Sequence, residues 1–113
     1  MLRLTLVLIA LALPATAQER LSSREQFVSR VADRELTRLG IGVSVTGDGR
    51  IRGSAFGTPV TGSWDWSGAF FCRTMEWGSR SWGRSCQAVQ IDGGRVYFIA
   101  DKGRGSQVYL NLP

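Results

Sequence analysis

The hydrophobic pattern of the chain changes from a helical period to a strand period near Gly40. Before Gly40, apolar residues recur at three- and four-residue steps, which predicts an amphipathic helix. Ser22 has Glu25 three residues on, the spacing of a helix-capping box, and glycine is the residue type that most often follows a helix end. The apolar positions are Val28, Val31, Ala32, Leu36 and Leu39. We expect this helix to pack on a sheet, and docking on a membrane or a partner is the alternative.

From Ile41 onward, apolar and polar residues alternate with a period of two, which indicates β-strands. Glycine-rich turns such as Gly47-Asp48-Gly49 separate the alternating segments, and no helical pattern lies between them. The pattern therefore predicts a mainly β fold, an antiparallel meander of about seven strands that closes into a small barrel or curls strongly. Gly53 and Gly62 lie inside predicted strands, where they indicate a bend or a bulge. The predicted strands cover residues 41–45, 50–56, 60–66, 69–77, 85–91, 95–100 and 106–112.

The first 17 residues have the three-part layout of a secretory signal peptide. A basic start at Arg3 is followed by an apolar run from Leu4 to Leu13, and Ala15-Thr16-Ala17 supplies small residues for cleavage. The run is too short to span a bilayer, although a retained anchor is the alternative interpretation. We thus expect a signal peptide over 1–17, a helical segment over 18–40 and a β domain over 41–113. This layout predicts a periplasmic or secreted protein with no membrane span after cleavage.

The two cysteines, Cys72 and Cys86, are expected to form one disulfide because export would place them in an oxidising compartment. The chain has no histidine, and two thiols alone do not complete a zinc site, so we expect no metal. Closing a loop of about 15 residues would stabilise the fold by about 3 kcal/mol.

The net charge is +5, and arginine supplies nearly all of the positive charge because Lys102 is the only lysine. A moderately basic exported protein suits anionic partners such as lipid headgroups, acidic polysaccharide or an acidic protein. The charge is too small, and the expected compartment wrong, for nucleic acid.

The framework of glycines, tryptophans and cysteines resembles a family of small secreted proteins of alphaproteobacteria. The matching segments are Leu39-Gly40-Ile41, Asp48-Gly49-Arg50-Ile51, Ala55-Phe56-Gly57, Val60-Thr61-Gly62-Ser63-Trp64-Asp65-Trp66, Phe71-Cys72-Arg73, Trp77-Gly78 and Cys86-Gln87. Members of this family are often labelled dihydrodipicolinate reductase, which implies an NAD(P)H-dependent reaction of lysine synthesis.

The residues of this chain do not carry that activity. A dinucleotide site needs a strand, a glycine-rich turn and then a helix N-terminus, whereas Gly40-Ile41-Gly42 follows a predicted helix and enters a strand. The histidines of the true reductases have no counterpart here. The resemblance therefore implies a scaffold, and we expect neither catalytic residues nor a cofactor from it.

Two sets of residues are candidates for function. Asp65 and Glu76 lie among tryptophans on neighbouring predicted strands, an arrangement typical of a small hydrolase if their carboxyl groups lie within about 10 Å. The alternative is that Asp65 faces solvent and Glu76 pairs with an arginine. Without histidine, Ser–His and Cys–His nucleophile pairs are excluded.

The second set interleaves cations and aromatics around a predicted exposed loop over 78–84. Such side chains bind sugar rings, lipid headgroups or protein partners, although Trp77 and Trp82 could instead plug the barrel. We assign Trp64 and Trp66 to the core by strand periodicity. The candidate binding residues are Arg73, Trp77, Arg80, Trp82 and Arg84. The sequence thus favours a non-enzymatic binding module of the cell envelope, with an envelope hydrolase or an inhibitor of an envelope enzyme as alternatives.

Overall fold

The computed structural model describes residues 3–5, 7 and 18–113. Nine strands and two short helices follow one another from Glu19 to Asn111. They are β1 (Glu19–Leu21), α1 (Arg24–Arg30), β2 (Glu35–Arg38), β3 (Ile41–Val45), β4 (Arg50–Ala55), β5 (Thr58–Ser67), β6 (Phe70–Trp77), β7 (Arg80–Asp92), β8 (Arg95–Ile99), α2 (Ala100–Gly103) and β9 (Gln107–Asn111). Most of the predicted signal peptide lies outside the described residues, so that assignment stays a prediction. Within the described ranges, no helix is long and apolar enough to cross a bilayer.

Strands β2 to β9 form a closed antiparallel barrel, because each strand pairs with the next and β9 pairs back to β2. The sequence predicts either a small barrel or a strongly curled sheet, and the structure shows the barrel. Strand β1 lies outside this circle and adds to the long β7 through Glu19↔Ile91. The β2–β9 seam is the weakest part of the wall, since its register contains the single pair Thr37↔Asn111.

The period-two pattern of the sequence becomes the inside and outside of the barrel. Val45, Ile51, Val60, Trp64 and Phe71 are all buried and belong to one hydrophobic core. Alternating strand residues point to opposite faces of a sheet, so a closed wall sends every second side chain inward.

Helix α1 closes one end of the barrel, where the β3–β4, β5–β6 and β7–β8 turns lie; we call this the closed end. Phe27 is fully buried, and its ring centre lies 5.0 Å from that of Trp64, 5.5 Å from that of Trp66 and 5.0 Å from that of Phe71. The indole N–H of Trp64 donates to the carbonyl of Thr46 at 2.8 Å. The assignment of Trp64 and Trp66 to the core is therefore correct, although Trp66 is only partly buried.

The predicted helix over 18–40 is wrong in its extent, because α1 ends at Arg30. The N-cap is Ser23, whose hydroxyl accepts from the backbone N–H of Gln26 at 3.2 Å, one residue later than predicted. Asp33 then adopts a φ of 60°, and its backbone N–H donates to the carbonyl of Val45 at 2.8 Å. This turn sends the chain into β2, where Leu36 is buried as a strand residue. Leu36 would be buried both in a helix of the predicted spacing and in a strand. Residues 35–38 form a strand because they pair with β3.

Residues 78–84 are exposed as predicted, but the segment is not a loop, because β7 begins at Arg80 and pairs with β6 through Trp77↔Arg80. Gly78, with a φ of 58°, permits the tight turn that joins the two strands. The extension lengthens a predicted strand, whereas β1 and β2 are the two strands that raise the count from about seven to nine among residues 18–113.

The two glycines inside strands mark places where neighbouring backbones approach closely. A Cβ atom at Gly53 would lie 2.1 Å from the carbonyl oxygen of Gly42, and one at Gly62 would lie 2.3 Å from that of Thr74. Any larger residue would force the adjacent strand away, which agrees with the special role that the sequence assigns to both positions.

The expected disulfide joins Cys72 on β6 to Cys86 on β7, which are direct partners across the two strands. The bridge spans a sequence separation of 14 residues. It therefore fastens the β6–β7 hairpin, which provides three of the five candidate binding residues on β7 and two on β6.

We expect the variant Cys72→Ala/Cys86→Ala to lose about 3 kcal/mol of unfolding free energy, because the unfolded chain regains the freedom that the bridge removes. Urea denaturation followed by tryptophan fluorescence measures this loss. The wild-type protein under reducing conditions serves as the control and should show the same shift. An unchanged midpoint would show that the bridge does not stabilise the barrel.

Replacing Phe27 with Ala should lower the unfolding free energy by about 3–5 kcal/mol, since the ring fills the closed end. Leu39→Ala is the matched control, because Leu39 is 94% exposed and its truncation should change stability by less than about 0.5 kcal/mol. Equal effects of the two substitutions in thermal or urea unfolding would contradict the conclusion that the Phe27 ring fills the closed end.

Candidate functional site

The half of the barrel away from α1 encloses a cavity of about 360 Å³. It lies beneath the β2–β3, β4–β5 and β6–β7 turns, and we call this the open end. A volume of this size falls in the range of small-molecule sites, and an eight-stranded barrel is just wide enough to hold one small ligand. The apolar part of the wall is formed by Ile41, Val43, Val45, Ile51, Ala55, Val60, Phe71, Met75, Phe98, Val108 and Leu110.

Arg73 is a charged side chain inside this apolar wall. It lies on β6 between Phe71 and Met75, and strand alternation gives all three the same inward face. Its Nη1 atom is buried and has no hydrogen-bond partner among the described residues. Burial lowers the pKa of Arg73, but an arginine side chain stays charged in proteins. The cavity therefore holds a positive charge with an unused hydrogen-bond donor.

Gln87 adds a second polar group to the same wall. Its side chain lines the cavity, and the residue is 7% exposed. The register pairs Phe71 with Gln87 and Arg73 with Ser85, so Gln87 lies diagonally across the β6–β7 pair from Arg73. Diagonal neighbours on one face of a sheet are within reach of long side chains. A ligand group near Arg73 could thus contact both residues.

Arg38 and Tyr109 contribute to the cavity wall at the β2–β9 seam, where the Tyr109 ring lies on the outer face beside Tyr97 with ring centres 5.6 Å apart. The guanidinium carbon of Arg38 lies 4.1 Å from the ring centre of Tyr109, and that of Arg95 lies 4.3 Å from the same ring. Arg38 and Tyr109 both line the cavity, whereas no lining residue carries a carboxylate. The charges of the cavity wall are therefore all positive, which favours an anionic ligand.

A β-bulge on β7 brings Trp82 to the cavity. The register runs from Arg73↔Ser85 to Met75↔Trp82, so two residues of β7, Gly83 and Arg84, stand opposite one residue of β6. A bulge of this kind reverses which face of the sheet the side chains on one side of it occupy, here those that precede Gly83 on β7. Trp82 takes the inward face that Gly83 would hold in a regular strand, and Arg84 remains on the outside.

The five predicted binding residues are divided between the two sides of the wall. Arg73, Trp77 and Trp82 line the cavity, and the indole N–H of Trp77 donates to the carbonyl of Ala55 at 3.1 Å. Arg80 is the first residue of β7, at the open end, and its guanidinium carbon lies 5.9 Å from the Trp77 ring centre. Arg84 forms an ion pair with Asp65 on the outer face, with an Nη2–Oδ2 distance of 3.0 Å.

Gln87, Arg38, Phe56 and Tyr109 also line the cavity and were not among the predicted site residues. Strand alternation places Gln87 on the face of Phe71, but it gave no sign that this face surrounds a space. Arg38 could not be found from the sequence, because the predicted helix assigned it to a solvent-exposed surface.

Asp65 and Glu76 both lie on the outer face of the barrel. Asp65 pairs with Cys72 across β5 and β6, and Glu76 pairs with Thr61. Asp65 and Thr61 are four residues apart on β5, which separates their backbone positions by about 13 Å. Hydrogen bonds from Arg84 hold the pKa of Asp65 below its usual value, so this carboxylate already has a partner. This arrangement gives the hydrolase hypothesis no support.

No protein-family model, curated protein or solved structure matches this chain. The resemblance to the small secreted proteins described above therefore rests on the framework residues alone.

Replacing Arg73 with Met should leave the barrel as stable as the wild type or stabilise it by about 1–3 kcal/mol, because an unpaired buried donor costs that much. Arg84→Met is the matched control, and loss of its exposed ion pair should cost no more than about 1 kcal/mol. Chemical denaturation of both variants measures the difference. A large loss of stability in Arg73→Met would show that the arginine serves the fold and not a ligand.

Proposed function

We propose that this protein is a non-enzymatic binding protein that holds a small amphipathic anion, such as a medium-chain fatty acid, in the open half of its barrel. The observation that carries the proposal is the buried Nη1 atom of Arg73, which has no hydrogen-bond partner among the described residues. The proposal names one of the anionic partners that the basic composition favours.

A carboxylate is the group that best fits Arg73. Arginine binds carboxylates through two parallel hydrogen bonds, and such charge-assisted bonds are about twice as strong as neutral ones. An isolated buried charge is unfavourable, so a ligand carboxylate would remove a cost that the empty site bears. Gln87 can supply a further amide N–H to the same headgroup.

An alkyl chain is the ligand body that best fits the rest of the wall. The side chains between Arg73 and the mouth include Met75, Trp77, Phe56 and Trp82. Such a surface offers apolar contact and few hydrogen-bond partners, whereas a sugar needs partners for each of its hydroxyls. We therefore place a carbohydrate second, as a ligand that could stack on Trp77 and Trp82 at the mouth.

The predicted signal peptide and the disulfide support a role outside the cytoplasm, in the periplasm or the secreted fraction. In that setting the protein would bind or carry an amphipathic acid within the cell envelope. Inhibition of an envelope enzyme and hydrolysis by Asp65 and Glu76 are the alternatives from the sequence, and neither gains an argument from the cavity.

Fatty acids of increasing length should bind with increasing affinity until the cavity is filled. Each added methylene should strengthen binding by about 0.8 kcal/mol, which is about fourfold. Isothermal titration calorimetry with octanoate, decanoate, dodecanoate and hexadecanoate measures the series. Maltose is the carbohydrate control. Affinity that is independent of chain length, or stronger for maltose, would contradict the proposed ligand class.

Arg73→Met should weaken decanoate binding by about 10- to 100-fold, because hydrogen bonds to charged groups contribute about 1.5–3 kcal/mol. Decanol has the same chain without the charge, so its affinity should be unchanged or higher in the variant. Arg84→Met, which removes an arginine from the outer face, should bind decanoate like the wild type. If Arg73→Met and Arg84→Met reduced decanoate affinity equally, the effect would be one of net charge and not of the site.

Decanoate affinity should depend on pH through the ligand and not through Arg73. The pKa of Arg73 is lowered by burial, but the side chain remains protonated, whereas a carboxylic acid titrates near about pH 4.3. Affinity should therefore be constant above about pH 6 and fall as the pH drops through the pKa of the free acid. Decanol binding over the same range is the control. Decanoate affinity that rises towards low pH would show that the neutral acid is the form bound.

A further inference from the structure

Four large apolar side chains are exposed around the open end of the barrel. Leu39 is 94% exposed, Phe56 is 68% exposed, Val108 is 58% exposed and Trp82 is 38% exposed. Leu39 lies in the β2–β3 turn and Phe56 in the β4–β5 turn, while Trp82 and Val108 lie near the starts of β7 and β9. All four positions are at the end where the cavity opens. We call these four residues the apolar rim.

The rim is held in place by packing beneath it. A Cβ atom at Gly40 would lie 2.7 Å from the Phe56 ring, so the glycine allows this ring to lie directly on the neighbouring turn. The ring centres of Phe56 and Trp77 are 6.5 Å apart in an edge-to-face arrangement. Phe56 is thus fixed with most of its surface facing solvent, and exposed apolar groups that gather in one place mark an interaction surface.

Positive charges accompany the rim. Arg38 ends β2 next to Leu39, and Arg80 begins β7 two residues before Trp82. The nearest carboxylates in sequence are Glu35, Glu76 and Asp101. Glu35 is exposed on β2 beside Gly42, Glu76 is opposite Ser81, and Asp101 pairs with Arg104 at 3.6 Å. A surface with apolar tips and flanking arginines is complementary to a bilayer whose headgroups are anionic.

We propose that the apolar rim docks on an anionic lipid bilayer, so that the mouth of the cavity faces the lipid from which it takes its ligand. The purpose given to this docking, uptake of a ligand, rests on the proposed function. The exposure of the rim side chains does not depend on it. The four apolar side chains stand on separate turns and strands around an opening. A fluid bilayer can accommodate separate tips of this kind, tryptophan favours the membrane interface, and arginine reaches the phosphates.

Sedimentation with vesicles tests the docking directly. The probes are vesicles of phosphatidylcholine alone and of phosphatidylcholine mixed with phosphatidylglycerol, at low ionic strength. We expect binding to the mixed vesicles and much weaker binding to the neutral ones. Leu39→Ser should reduce binding to the mixed vesicles by about tenfold, because the leucine side chain no longer enters the interface.

A matched pair of arginine variants separates the rim from net charge. Arg38→Gln/Arg80→Gln and Arg50→Gln/Arg52→Gln each remove two positive charges, but the second pair lies on β4, away from the rim. We expect the first variant to bind mixed vesicles at least about tenfold more weakly than the second. Equal binding by both variants, or no binding of the wild-type protein to mixed vesicles, would overturn the inference.

Lipids brominated along the acyl chain locate the contact. They should quench part of the tryptophan fluorescence of the wild-type protein and much less that of Trp82→Phe, because Trp82 is the tryptophan of the rim. Quenching that is unchanged in Trp82→Phe would place the contact elsewhere and contradict the proposed orientation.

Decanoate titration of the same variants keeps the two proposals apart. Leu39→Ser should still bind decanoate in solution, because Leu39 does not line the cavity and Arg73 and the apolar wall remain. If the wild-type protein binds decanoate but not vesicles, the docking inference fails and the cavity proposal stands. If it binds mixed vesicles but no fatty acid, the rim stands as a membrane contact and the proposed ligand is wrong.

Discussion

The interior of an eight-stranded barrel is filled either by side chains or by a small ligand. In this barrel the aromatic cluster around Phe27 fills only the half nearest α1. Phe27, Trp64 and Phe71 interlock at ring distances of 5.0 to 5.6 Å and make that half a packed core. The remaining half is lined mainly by apolar side chains that leave a cavity of about 360 Å³ between them. The packed core and the cavity in this way occupy opposite ends of one closed sheet. The division depends on a single short helix that lies across one end.

The position of Arg73 is the most informative departure from what stability alone would select. Its neighbours on the same face of β6, Phe71 and Met75, are apolar, and so are most of the other side chains that line the cavity. Residues that violate local rules of folding concentrate where a protein binds or reacts. Three outer arginines are paired with carboxylates: Arg84 with Asp65, Arg30 with Glu19 and Arg104 with Asp101. Arg73 differs because its buried guanidinium nitrogen has no hydrogen-bond partner among the described residues.

Strand alternation predicted the main part of the fold well. From Ile41 to Trp77, residues alternate so regularly that the inward faces of β3 to β6 follow from the sequence, and the pairing of Cys72 with Cys86 agrees with them. The region before Gly40 was misassigned because Val31 and Leu36 satisfy a helical spacing as well as burial in a loop and a strand. Tertiary pairing of β2 with β3 and β9 overrides the local preference there, and no local pattern reports such pairing.

The site was less predictable than the fold, for two physical reasons. Arg73 was selected for its place among aromatic residues, whereas its importance comes from facing a space, and a sequence does not show how completely an interior is filled. Trp82 reaches the cavity through the bulge at Gly83 and Arg84, which changes the face of every residue that precedes it on β7. The glycine was visible in the sequence as a weak sign of irregular pairing, but its effect on the neighbouring tryptophan was not.

The seam between β2 and β9 gives the barrel a direction in which it can widen. Two strands joined by one register pair separate more easily than strands joined by several. Arg38 and Tyr109 are in contact across this seam. Separation of β2 from β9 would extend the mouth into a slit between these strands. The disulfide would not be affected, because it joins β6 to β7. A ligand of the proposed class with a tail longer than the cavity could then place part of that tail between the strands, so the cavity volume would not set an upper limit on tail length.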